Sequence, residues 1–174
     1  MTGANEQSAD PREIGKQLRP GLWYTINERY PGSMIDKADF VPLAELRKPL
    51  SEARLTLISS CGVHAKSDPP LDVCHPFGDF RFRRVPSASR HEDLVIHQLK
   101  YPHDDADVDI NVIFPIERLQ ELASEGVLGG LTGNFFSFIG YNMDPEKFER
   151  TVAHDIAKAV VEEERADAAL LAPA

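Results

Sequence analysis

"NFFSFIGYNMDPEKFERTVAHDIAKAVVEEERADAALLAPA", residues 134–174, decides the fold. Its first eight residues form a run dense in Phe and Ile, and a run of that length bounded by turn residues is read as a buried strand. Asp144 followed by Pro145 then marks a helix start, because an Asp side chain can accept from the free N–H groups of a first turn and Pro suits the first helical position. Phe148, Val152, Ile156, Ala159 and Val160 fall at helical spacing and are expected to form the buried stripe. The closing "DAALLAPA" reads as another buried strand of Ala168, Ala169, Leu170 and Leu171, stopped by Pro173.

The same alternation extends upstream. "RLTLISS", 54–60, is a strand with Leu55, Leu57 and Ile58 inside, ending in "CGVH", where Gly62 permits a sharp turn. From 65 to 86 the chain is rich in Pro, Gly and Asp and predicts a long irregular crossing with a short strand at "FRFRRV"; loops of that length are usually functional. "DLVIHQLKYP" is strand-like. "DVDINVIFPIERLQELASEG" is expected to turn from extended to helical at Pro115, with Ile116, Leu119 and Leu122 recurring along the helix and Gly126 as its stop. Strand, helix, strand, helix, strand gives an α/β fold: a mostly parallel sheet flanked by helices in a Rossmann- or flavodoxin-like three-layer architecture, with the sheet incomplete at the C-terminus.

Composition sets outer bounds. A chain of 174 residues, 42% hydrophobic and 27% charged, suits one globular domain. Residues 1–20 lack periodicity and read as a flexible arm, with 21–174 as the domain and Leu22, Trp23 and Tyr24 as its first anchor. A net charge of −9 excludes a nucleic-acid surface, and no stretch approaches the ~18 apolar residues of a membrane helix. A cytoplasmic location is the default expectation, and there the two cysteines, Cys61 and Cys74, are thiols.

Cys61, His64, Cys74 and His75 offer C-x-x-H and C-H pairs, but the spacing matches no zinc motif derivable from ligand geometry. Cys61 is better explained as a small apolar residue at a strand end. His64 lies just past a central strand, where α/β sheets collect their chemistry, and an imidazole there can relay a proton; a loop-capping role is the plain alternative. "YPHDDADVDIN" crowds His103, Asp104, Asp105, Asp107 and Asp109 together. His103 and Asp104 are singled out because a neighbouring carboxylate orients an imidazole and raises its basicity, whereas Asp105 and Asp107 read as solvated surface. "GVLGGLTG" lacks the Lys and the strand–helix context of a phosphate loop.

With these segments in view, the chain resembles the selenoprotein B family of glycine, sarcosine, betaine and D-proline reductases. "LRKPLSEARLTLISSCGVHAKSDPPLD", "GDFRFRRVP", "HDDADVDINVIFPIERLQELASEGVLGGL", "FFSFIGY" and "ADAALLAPA" occur in the family's order over about residues 40 to 174. The resemblance implies an oxidoreductase that cleaves a C–N bond of a small amino-acid-like substrate, with a disulfide as acceptor. It also implies a pyruvoyl-containing partner subunit and a thioredoxin-like reductant; no cofactor is implied within this chain, and homo-oligomerisation is a further expectation. In the family a selenocysteine or cysteine attacks the substrate carbon, a role suited to a selenol because its anion is the reactive form. That residue follows the strand equivalent to "DAALLAPA". Selenocysteine is encoded by UGA, so Ala174 is expected to be a reading boundary, and neither Cys61 nor Cys74 occupies the redox position. His64, His103 and Asp104 remain the candidate catalytic residues. The alternative is a binding or interaction module that keeps the fold without the nucleophile.

Overall fold

The computed structural model describes residues 44–174, together with Arg29 and Pro31; the arm assigned to 1–20 and the anchor at 22–24 lie outside the described residues. Everything below belongs to the unit Ala38–Ala174.

Alternation of side chains along the strands places a core on each face of one sheet. Its central strand is β1, Arg54–Ser59. On one side β1 pairs in parallel with β7, Ala168–Ala172, from Leu55↔Ala168 to Ser59↔Ala172. On the other it pairs in parallel with β5, Gly130–Leu131, and then β6, Asn134–Phe138. Thr132 and Gly133 separate those two short strands. The register to β1 therefore slips by two residues between Leu55↔Leu131 and Ile58↔Phe136, as a bulge requires. β3, Phe82–Pro86, closes the far edge antiparallel to β6. The sheet is thus mostly parallel, in the α/β class.

On one face Leu55, Leu57, Val85 and Phe135 pack with Ile110, Phe114, Ile116 and Leu119. This layer contains α1, Asp104–Val108, and α2, Ile116–Ser124, with a 3₁₀ turn at Ile110–Val112 between them. It also contains a separate two-stranded antiparallel sheet of β2, Val63–Ala65, and β4, Leu94–Ile96. On the opposite face Ile58, Phe82, Phe136 and Phe138 meet Val152, Ile156 and Ala159 of α3, which runs over 145–163 with π-helical segments at Glu149–Ala153 and Ala159–Glu163. Phe148 and Val160 pack on this core as the stripe predicts, and Asp144 caps the helix by accepting from the Lys147 N–H, with Pro145 in its first turn. Phe135 and Phe136 point to opposite faces and both are fully buried. At about 1.5–3 kcal/mol each they are among the strongest single contributions to the two cores.

Two expectations are corrected. Residues 107–114 are not extended: Asp107 and Val108 end α1, and Ile110–Val112 forms the 3₁₀ turn. Asp109 accepts from the Asn111 backbone and side-chain N–H groups, so local polar contacts override an apparent strand alternation. The other correction concerns β7, which pairs only β1 among the described residues and is not buried. Ala169, Leu170 and Leu171 are exposed, Leu171 at 68%. An apolar run cannot by itself distinguish a central strand from an edge.

Candidate functional site

The site is built on the exit of β1. Ser59 Oγ donates to the Ile113 carbonyl at 3.1 Å, the Ala174 N–H donates to Ser60 Oγ at 3.0 Å, and the Tyr101 hydroxyl donates to the Cys61 carbonyl at 2.8 Å. Three consecutive residues thus tie down three separate segments. Those segments wall a cavity of about 310 Å³ lined by Tyr101, His103, Asp104, Ile113 and Ala174, with Pro102, Asp105, Ala106 and Val112 completing it. Its position just beyond the carboxyl ends of β1 and β7 is where an open α/β sheet offers a ligand crevice. Burial, reinforced by the neighbouring Cys61 and Asp107, pushes the Tyr101 phenol far above its ordinary pKa, so it stays a neutral donor.

His103 and Asp104 both lie in this wall. The imidazole, however, is bonded to Asp107, four residues on: His103 Nδ1 lies 2.9 Å from Asp107 Oδ2. Sequence adjacency pointed to Asp104. Helical geometry instead stacks residue i over i+4, and the Asp107 N–H bonded to the His103 carbonyl closes that turn. The signal was present in the spacing, hidden because the stretch reads as an acidic surface loop rather than a helical turn.

His64 is outside the cavity lining. It occupies β2, is 1% exposed, and places Nδ1 2.8 Å from the Ala65 carbonyl and Nε2 2.5 Å from His97 Nδ1. A carbonyl only accepts, so His64 Nδ1 carries the proton and Nε2 accepts from the His97 Nδ1–H. Burial and then the facing His64 ring hold the His97 pKa below its ordinary value. The pair clamps β2 to the segment after β4, where the His97 N–H also reaches the Gly62 carbonyl at 3.0 Å. Gly62 has φ +72°, and a Cβ there would lie 2.4 Å from the His97 carbonyl oxygen, so the turn after Cys61 requires glycine. Nothing in the sequence marked His97 or Tyr101, because each acts through a partner more than 30 positions away.

The thiols sit apart from this geometry. Cys61 is fully buried, 3.7 Å from Ser137 Oγ, and burial pushes its thiol up. Cys74 is exposed on the 66–80 loop. That loop is pinned by Asp79, which accepts from the Asp72 N–H at 2.6 Å and from Arg81 Nε at 2.8 Å. Burial alone would raise the Asp79 carboxyl, but Arg81 and the Asp72 N–H hold it below the usual carboxylate range. Among the described residues no three His, Cys, Asp or Glu side chains gather as metal ligands, and no helix is long and apolar enough to cross a membrane.

Residues 27–173 match the family model for glycine/sarcosine/betaine reductase selenoprotein B. The chain belongs to this family. Within curated proteins, the chain is 33% identical over 124 residues to the D-proline reductase subunit gamma of Acetoanaerobium sticklandii. That match covers 71% of this chain and 50% of the relative, so the chain spans about half the length of the protein it matches. No solved structure matches it. The β1 exit, β7 and every residue of the cavity wall except Ala174 fall inside the matched residues.

Proposed function

We propose that this chain supplies the substrate-pocket domain of a selenol- or thiol-dependent reductase, which cleaves a C–N bond in a small amino-acid-like compound with a dithiol/disulfide couple as redox partner. The observation that carries the reading is the small cavity suspended from Ser59, Ser60 and Cys61 at the β1 exit of a selenoprotein B family chain. Its volume suits a metabolite of a few heavy atoms, near the lower end of ligand pockets. His103 and Asp104 bring proton-handling groups to its wall.

The attacking selenolate or thiolate is assigned to neither cysteine of this sequence. Cys61 is sealed in the core with its thiol held protonated, and Cys74 is outside the cavity lining. In this reading the nucleophile arrives from outside residues 1–174, and the pyruvoyl group belongs to a partner subunit. The D-proline reductase name of the relative makes D-proline the first substrate to try, followed by glycine, sarcosine and betaine.

The test is dithiol oxidation by the native complex on that panel, with a Cys61→Ala/Cys74→Ala double variant beside it. Substrate-dependent turnover retained in the double variant is the expected result. Loss of turnover in a folded double variant overturns the nucleophile assignment. No turnover on any of the four compounds overturns the reductase reading in favour of a binding module.

A further inference from the structure

The side-chain geometry around the cavity goes beyond naming His103 as a wall residue. We propose that Asp107 is the positioning residue that fixes the tautomer of His103, leaving Nε2 as the proton acceptor at the cavity wall. This rests on the reading of that cavity as the substrate site.

A carboxylate can only accept, so the 2.9 Å contact from His103 Nδ1 to Asp107 Oδ2 places the ring proton on Nδ1 and the lone pair on Nε2. The ring is also held from a second side. The Tyr101 ring packs edge-on against it with centroids 6.0 Å apart, and Tyr101 is itself anchored through its hydroxyl to the Cys61 carbonyl. The backbone sets the pairing as well: the Asp107 N–H bonds the His103 carbonyl at 2.9 Å, closing the first turn of α1 with both side chains on one face. The charged groups near the imidazole are Asp104, Asp105 and Asp107 from α1, with the neutral Tyr101 phenol. Val112, Ile113 and Ala174, the lining residues from other elements, carry no titratable side chain.

The experiment has two parts. In the 15N-histidine-labelled chain, long-range 1H–15N correlation at pH 8 reads which ring nitrogen of His103 carries the proton. Nδ1–H is expected in the wild type, and a shift toward Nε2–H in Asp107→Ala. An unchanged tautomer in that variant overturns the proposal. In the native complex, Asp107→Ala is expected to lower kcat by roughly tenfold to a hundredfold, as loss of an oriented acid–base group does, with KM little changed and Asp107→Glu restoring part of the rate. A tautomer shift without any fall in kcat overturns the catalytic consequence and leaves a surface ion pair. Val112→Trp separates this from failure of the cavity reading, because Val112 is 63% exposed and lines the cavity. The bulky ring is expected to raise KM at least tenfold. If it leaves kinetics untouched, the cavity is not the substrate site. If it impairs binding while Asp107→Ala is silent, only the positioning role falls.

Discussion

Glu164 offers a strong test of how this sheet is held together. Its carboxylate is only 8% exposed at the end of α3, and it accepts the Gly133 N–H at 2.7 Å and the Asn134 side-chain amide at 2.7 Å. These contacts pin the bulge at Thr132 and Gly133, where β5 gives way to β6 and the register against β1 slips. Glu164→Ala removes both acceptors and leaves a partly buried backbone N–H unpaired. A hydrogen bond to a charged group contributes about 1.5–3 kcal/mol. Allowing for water reaching the space left behind, the loss for the two together is about 3 kcal/mol. For a chain of this size that corresponds to a fall in Tm of roughly 6–12 °C. Glu164→Gln keeps an acceptor for the Gly133 N–H while losing the charge, so about half that loss is expected. Urea denaturation followed by circular dichroism at pH 7 reads all three proteins. An Ala variant within about 0.5 kcal/mol of wild type, the usual range for inconsequential surface changes, refutes the role given to this carboxylate.

Three further outcomes follow from the same contacts. His97 has a depressed pKa when folded, so the unfolded chain binds its proton more readily; stability is full above about pH 6.5 and falls as pH drops toward the lowered value. The slope is at most about 1.4 kcal/mol per pH unit, reduced by solvent at this part-exposed ring, and His97→Gln should flatten it in urea melts at pH 5 to 8. Titration with a thiol reagent should count one reactive cysteine in the native chain, Cys74, and two in denaturant, since Cys61 is sealed; rapid native labelling of both contradicts its placement. Asp79→Ala should release the 66–80 loop, costing roughly 1–2 kcal/mol through loss of the bonds from the Asp72 N–H and the half-exposed Arg81 guanidinium, both of which water can reach. Limited proteolysis should then cut within that loop well before the wild type is cut; equal resistance rejects the clamp.

The parts of this fold legible in the sequence are those whose cause is local. Phe135 and Phe136 alternate because a strand has period two, and Val152, Ile156 and Ala159 line one face because a helix repeats every 3.6 residues. The Asp144 cap is likewise a contact between residues three apart. Misreadings arose where two local codes compete, as at 107–114, where an apparent alternation gave way to Asp and Asn side chains bonding their own backbone. Asp107 does lie at the surface, as its acidic surroundings suggest, but a linear reading misses that it meets His103 one helical turn back.

By itself the sequence determined the α/β class, the main strands at 54–59 and 134–138, the helices at 116–124 and 145–163 and the kinship with selenoprotein B reductases, because periodicity, capping and motif order are all properties of neighbouring residues. Tertiary structure alone decided that β7 lies exposed at an edge, that His64 pairs with His97 away from the cavity, and that Ser59, Ser60 and Cys61 hang three remote segments around one pocket. Those outcomes depend on hydrogen bonds between residues 33 to 114 positions apart. No short window of sequence holds both ends of such a bond, and only the packed sheet brings them within reach.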